Sequence, residues 1–307
     1  MPIAYSAQAP AAVVMVRPNH FTVNTETAAD NSFQLSTDAS DDLASKAFDE
    51  ITHASETLER HGVAVHLFED KSTDTPDSVF PNNWFSTHAG GHVAIYPMKA
   101  PSRRRERRSD VIEMLKQRYR VQDVIDYSGL EPDGLFLEGT GAMVLDHLAR
   151  IAYTARSRRA DPIALERFCT HFNYEPVCFD SADASGRAIY HTNVMMSVAT
   201  EFALVGFDLI DNPLRRLEIR RRLEESGRTV LALDSAQIGE FAANAIELSS
   251  TYGRVLALSE RAAKSLTHQQ RAVIEQSARL LPLRVPAIEM AGGSVRCMIG
   301  GIHLARR

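Results

Sequence analysis

Short β-branched runs alternate with stretches of helical periodicity along the whole chain. Residues 12–16 (Ala-Val-Val-Met-Val) form the first run, residues 40–61 carry apolar positions three and four apart, and residues 63–67 (Val-Ala-Val-His-Leu) form the next run. The pattern predicts a strand, a helix and a strand. It recurs at 93–96, 109–118 and 121–125, then at 150–154, 162–172 and 175–179. Two further units follow: 202–206, 212–225 and 229–233, then 254–258, a helical stretch within 259–278, and 280–285.

The segments between these units share a form. Asn83-Trp84-Phe85, Gly141-Ala142-Met143, Asn193-Val194-Met195, Asn244-Ala245-Ile246 and Cys297-Met298-Ile299 each begin small or polar and turn apolar, with starts 58, 52, 51 and 53 residues apart. From Asn83, Gly141, Asn193 and Asn244 it is ten residues to the next unit's strand, at Val93, Ile151, Ala203 and Arg254. That offset fits a hairpin strand and its turn, so each repeat reads ββαβ. Neither a parallel barrel nor a doubly wound sheet accommodates an extra antiparallel strand in every repeat. The expectation is an α/β fold of five small mixed sheets in a five-bladed α/β propeller, one catalytic domain over residues 1–307. The strand after Cys297 would pair with the strand near Val13 to close the circle, and the five motif residues would face one central site.

Charge narrows the function classes. With 34 Lys and Arg against 39 Asp and Glu the net charge is −5, which disfavours a dedicated nucleic-acid binder and leaves a small molecule as the expected partner. Cys169, Cys178 and Cys297 form no CxxC pair, so a disulfide framework is not expected and a reduced, cytoplasmic setting is. The start Met1-Pro2-Ile3 shows no basic, apolar leader pattern, and no apolar run nears the roughly 18 residues of a membrane span. Oligomeric state is open.

Three inter-unit segments carry groups able to make an activated nucleophile: Glu138 in Phe136-Leu137-Glu138-Gly139-Thr140-Gly141, His191 in Tyr190-His191-Thr192-Asn193, and Cys297 after Gly292-Gly293-Ser294-Val295-Arg296. Each lies at or within three residues of the same point of its repeat, where a ring would bring them together. Cys169 and Cys178 fall on a helix and a strand of one unit and read as core. Gly292-Gly293 suits a close backbone approach to substrate or a simple turn.

These residues resemble the guanidine-modifying, amidinotransferase-like superfamily, whose five-bladed α/β propeller (the pentein type) holds a Cys–His–Glu site. Arg17-Pro18-Asn19 with Glu26-Thr27-Ala28, Phe80-Pro81-Asn82-Asn83-Trp84, the Glu138 and the Cys297 segments look most like its citrulline-utilisation hydrolase branch. Arginine deiminases carry Asp at the positions of Asn83, Gly141 and Asn193. A guanidinium has donors only and a permanent charge, whereas an ureido group is neutral with an acceptor beside its donors, which an amide can match. Asn83 and Asn193 are therefore expected to select citrulline.

The resemblance implies attack by Cys297 on the ureido carbon, with His191 as acid and base. Ornithine leaves, and an S-carbamoyl enzyme is hydrolysed to carbon dioxide and ammonia. Glu138 would orient His191 or hold an ureido N–H. Arg159, where the superfamily often has Ser-x-Arg-Thr, is the expected carboxylate contact, with Arg17 and Asn24 as further substrate contacts. No GxGxxG or phosphate loop is present, and His88 and His92 have no third ligand at metal spacing, so neither cofactor nor metal is expected. The run Arg103-Arg104-Arg105-Glu106-Arg107-Arg108 reads as a solvated face. The alternatives are an arginine or methylarginine deiminase of the same fold and a non-catalytic propeller that binds a partner.

Overall fold

The computed structural model describes residues 6–35 and 41–307. Among them are five three-stranded sheets, each built from an antiparallel pair and a parallel strand on the other side of the middle strand. In chain order the strands are β1 (Ala12–Pro18), β2 (Ala64–Asp70), β3 (Phe85–His88), β4 (His92–Ile95), β5 (Asp123–Asp126), β6 (Met143–Asp146), β7 (Ile151–Ala155) and β8 (Glu175–Phe179). They continue as β9 (Met196–Val198), β10 (Phe202–Val205), β11 (Thr229–Ala232), β12 (Ile246–Ser250), β13 (Gly253–Ser259), β14 (Arg279–Leu283) and β15 (Gly300–Ile302). The sheets are β3-β4-β5, β6-β7-β8, β9-β10-β11, β12-β13-β14 and β15-β1-β2. In the last of these β1 pairs antiparallel with β15, Ala12 facing Ile302, and parallel with β2, Ala12 facing Ala64. The two ends of the described chain thus share a sheet, as the repeat pattern anticipates.

A helix carries the chain from each middle strand to its parallel partner, because parallel strands need a crossover. The first, Asp41–Arg60, aligns Ala47, Ile51, Ala54 and Leu58 on one face, where they pack with Val13 and Met15 of β1. Each fully buried Leu or Ile there contributes about 1.5–3 kcal/mol. Ala12 and Val14, on the other face of β1, meet Trp84, Phe85 and Ile302, as period-two alternation requires. Ser40, expected in this helix, lies outside the described residues.

Local chemistry sets the other helix ends. Asp161 caps the helix Pro162–Phe172 through the backbone N–H groups of Ile163 and Ala164, and Asn173 ends it at φ 53°. The single helical stretch expected within 259–278 is two helices, Glu260–Ser265 and His268–Ile274. Thr267 and Gln270 form a reciprocal capping box that starts the second, with Leu266 extended between them, so a strong start signal interrupts the periodicity.

The hairpin strands begin two or three residues later than the motif residues. Asn83 ends the turn Pro81–Asn83, Gly141 lies in Gly139–Ala142, and Asn193 in Thr192–Val194. Asn244 N–H and Cys297 N–H likewise close tight turns on the carbonyls of Phe241 and Ser294, at 2.8 and 3.0 Å. These are bends that precede strands, so their side chains leave the strand alternation and turn toward each other.

Candidate active site

The site is assembled from those bends. His191, 2% exposed, uses Nε2 to meet Glu138 Oε2 at 2.9 Å, and Glu138 is fully buried. Burial alone would favour a neutral carboxyl, but Arg159, His191 and Arg103 outweigh it and hold Glu138 below the usual carboxylate range. Its Oε2 lies 3.6 Å from Arg159 and 3.7 Å from Arg103, and its Oε1 accepts from Lys99 N–H at 3.1 Å. Burial pushes His191 down to about 4 despite the pull of Glu138. The imidazole is thus neutral at pH 7, its Nε2–H donating to Glu138 and its Nδ1 left free.

Cys297 is 2% exposed. Two amides reach its sulfur: Asn193 Nδ2 at 3.2 Å and Asn244 Nδ2 at 3.3 Å. Asn244 also donates to Asn193 C=O at 3.1 Å and accepts from Arg296 N–H at 3.0 Å, tying three bends together.

Cys297 and His191 line a small cavity, of about 20 Å³, with Asn83, Asp77, Arg103, Arg159 and Tyr190. Arg159, 3% exposed, pairs with Asp30, donates to Thr27 C=O and lies 4.9 Å over the Tyr190 ring. With its amide oriented to suit its neighbours, Asn83 accepts from Arg103 at 2.9 and 3.2 Å and donates to Asn82 Oδ1 at 3.2 Å. Gly141 stands where no side chain fits: a Cβ would lie 2.2 Å from the Asn83 amide and 2.8 Å from His191 Nδ1. Gly293 also lines the cavity, and a Cβ there would press to 2.8 Å from the Phe80 ring.

Three expected substrate contacts fall elsewhere. Asn193 spends its NH₂ on the Cys297 sulfur and is not among the cavity's lining residues. Asn24 does not line the cavity either; it donates to Asp77 at 2.8 Å and so positions that carboxylate. Arg17 pairs with Glu69 and Thr52 and lies over the Phe48 ring, because its place on β1 directs it to the neighbouring β2 and helix.

The basic run is not uniformly solvated. Arg103 is 2% exposed, held by Glu106 at 2.9 Å and flanked by Asp77 and Glu138, each at 3.7 Å. Burial opposes its charge, but these three carboxylates raise its pKa overall. Burial pushes Glu106 up to about 8 and also raises Asp77. Asp77 and Arg103 are site residues that the sequence reading did not identify, and Asn244, expected to face the centre, was not named among the substrate contacts. Asn244 was legible as the fourth equivalent of Asn83 and Asn193, whereas Arg103 looks like its exposed neighbours and is distinguished by partners distant in sequence.

The family of N,N dimethylarginine dimethylhydrolase, eukaryotic, matches residues 17–304. The chain belongs to this family. It is thereby a member of the amidinotransferase-like superfamily and of a family of hydrolases acting on C–N bonds. No curated protein matches it in sequence. Among solved structures it is similar to the N-terminal domain of ArgZ, an arginine dihydrolase from the ornithine-ammonia cycle in cyanobacteria, with TM-score 0.74 and 16% identity over 94% of this chain and 96% of that one. It is similar to unliganded AgrE, with TM-score 0.75 and 18% identity over 96% of this chain but 40% of that one. It also resembles DDAH from Pseudomonas aeruginosa, complexed there with citrulline, with TM-score 0.64 and 14% identity over 97% of this chain and all of that one. At these identities the likeness is one of fold. No helix among the described residues is long and apolar enough to cross a membrane.

Proposed function

We propose that this chain hydrolyses the ureido group of free citrulline, releasing ornithine, carbon dioxide and ammonia without a cofactor. The carrying observation is the charge pairing of the cavity. Asp77 is the carboxylate among its described lining residues, and Arg103 already lies 3.7 Å away. Glu138, behind His191, has two guanidinium partners. A guanidinium at the reacting end would find no uncommitted carboxylate, whereas the Asn83 amide can meet a neutral ureido group.

In this reading the Cys297 sulfur attacks the ureido carbon as its proton passes to His191 Nδ1. The C–N bond to the δ-nitrogen breaks, His191 protonates that nitrogen, and ornithine leaves an S-carbamoyl thioester. His191 then takes a proton from water, which attacks the carbamoyl carbon. The thiol is regenerated and the released carbamate decomposes. Glu138 orients the imidazole and stabilises its charged form. Arg159 receives the substrate carboxylate. The five bends meeting at this site, with β15 beside β1, support a five-bladed propeller forming one domain, and the small amino-acid substrate fits a cytoplasmic enzyme.

Arginine or dimethylarginine is the second reading, favoured by the family match. Mass spectrometry after incubation with citrulline, arginine and dimethylarginine separates the two. Ornithine from citrulline, lost in Cys297→Ser, is the expected result. Citrulline from either guanidino compound, with citrulline itself inert, would overturn the proposal, and no turnover of any compound would favour a binding role.

A further inference from the structure

A second cavity, of about 50 Å³, contains Asn193, Arg296, His147, His303 and Glu247 among its lining residues. It shares Asn193 with the nucleophile but not the residues that line the substrate cavity. The buried arginines Arg103, Arg159 and Arg228 all have carboxylate partners, Arg228 meeting Asp146 at 2.7 and 2.9 Å. Arg296 is different: its guanidinium donates to Ile299 C=O at 2.9 Å and forms no ion pair among the described residues. Burial pulls its pKa down to about 10, the direction of a charge short of a counter-ion. Glu247 does not pair with it: Thr200 N–H donates to Glu247 Oε2 at 2.7 Å, and Oε1 lies 3.4 Å from Arg254 with no hydrogen-bond partner.

The other polar groups supply acceptors. His303 places Nδ1 at 3.1 Å from Ala7 C=O, which fixes the proton on Nδ1 and leaves Nε2 as a lone pair. Its ring lies 4.0 Å from that of His147, whose Nδ1 is taken by the Tyr174 hydroxyl at 2.8 Å. Burial holds both imidazoles neutral at pH 7. Asn193 Oδ1 is buried with no hydrogen-bond partner in the structure. One cation with unused donors, a neutral imidazole lone pair and an orphaned amide oxygen call for a ligand carrying both a negative oxygen and an acidic O–H. Chloride satisfies only the first.

We propose that this cavity binds a small protonated oxyanion, of the chemistry shared by bicarbonate and dihydrogen phosphate, with Arg296 as its counter-ion. The test is thermal unfolding of the full chain at pH 7 in sodium bicarbonate, sodium phosphate or sodium chloride at matched ionic strength. No substrate is added, so the outcome does not depend on which compound the thiol hydrolyses. The expected result is a saturable rise of about 2–4 °C at ten times the dissociation constant with an oxyanion and none with chloride. The bicarbonate and phosphate arms show which source the site prefers. Arg296→Met should abolish the rise. Should that variant fail to fold, His303→Gln decides, with an apparent affinity at least threefold weaker supporting the site and an unchanged one refuting it. No rise, an equal rise with chloride, or an undiminished rise in Arg296→Met would overturn the proposal.

Discussion

Replacing Gly141 by Ala adds one carbon at the most crowded point of the site. That carbon would stand 2.2 Å from the Asn83 amide and 2.8 Å from His191 Nδ1, against ordinary heavy-atom separations of about 3.5 Å. Both neighbours must withdraw, by roughly 1 Å for the amide. Neither is loose: Asn83 is held by Arg103 and Asn82, and His191 by Glu138 at 2.9 Å. Displacement of that size costs about 100-fold in rate, and the overpacking costs about 1–3 kcal/mol of stability. The assay is ornithine formation from citrulline, resolved into kcat and KM, beside a thermal melt. The expected outcome is a fall in kcat of about 100-fold with a melting temperature several degrees lower. A variant with kcat within threefold of wild type and an unchanged melt would refute the steric reasoning. The Asp that arginine deiminases carry at this position would intrude further, so this site cannot acquire it without first moving Asn83 and His191.

The two asparagines should separate when each is changed to Asp. Asn83→Asp sets its new charge beside Arg103 and should retain measurable citrulline turnover, whereas Asn193→Asp puts a carboxylate 3.2 Å from the sulfur. At an effective dielectric of about 20 that costs the thiolate roughly 5 kcal/mol, so turnover and iodoacetamide alkylation should fall at least about a thousandfold. Equal activities would sink the distinction. Arg103→Gln leaves Asp77, Glu106 and Glu138 short of a cation and should lose about 3–5 kcal/mol in urea unfolding, while exposed Arg105→Gln should change it by less than about 0.5 kcal/mol; similar losses would contradict the burial argument. Because the folded pKa of His191 lies at about 4, below its ordinary 6.5, the stability it contributes is present above about pH 6.5 and lost as pH falls through about 4. Wild type should therefore lose stability relative to His191→Gln across that window, and a constant difference between the two would show that the imidazole is not held neutral.

Periodicity carries most of the architecture because crossover helices and middle strands bury one consistent face. The helices Ser109–Arg118 and Pro162–Phe172 and the strand β8 fall where the apolar pattern puts them. The pattern loses accuracy at the bends, where Asn83, Asn193 and Cys297 sit in tight turns whose geometry depends on neighbouring bends. Cys297, His191 and Glu138 were legible through their equivalent repeat positions. Arg103 and Asp77 were not, since their burial rests on each other and on Glu138, a relation that no local window of sequence contains. The difference between Asn83 and Asn193 was hidden for the same reason: one faces a guanidinium, the other a sulfur, and the repeat makes them look alike.

The pairing of β15 with β1 bears on when the site comes into being during folding. Glu138 and His191 precede Cys297 in the chain, Cys297 lies just ahead of β15, and the partner of β15 is β1, the most distant described strand in sequence. Contacts so distant in sequence form late. Glu138 and His191 can meet before β15 pairs with β1, whereas the Cys297 bend, next to β15, takes its place only with that pairing. Fastening of β15 to β1 and seating of the Cys297 bend among the others therefore belong to the same late step of folding.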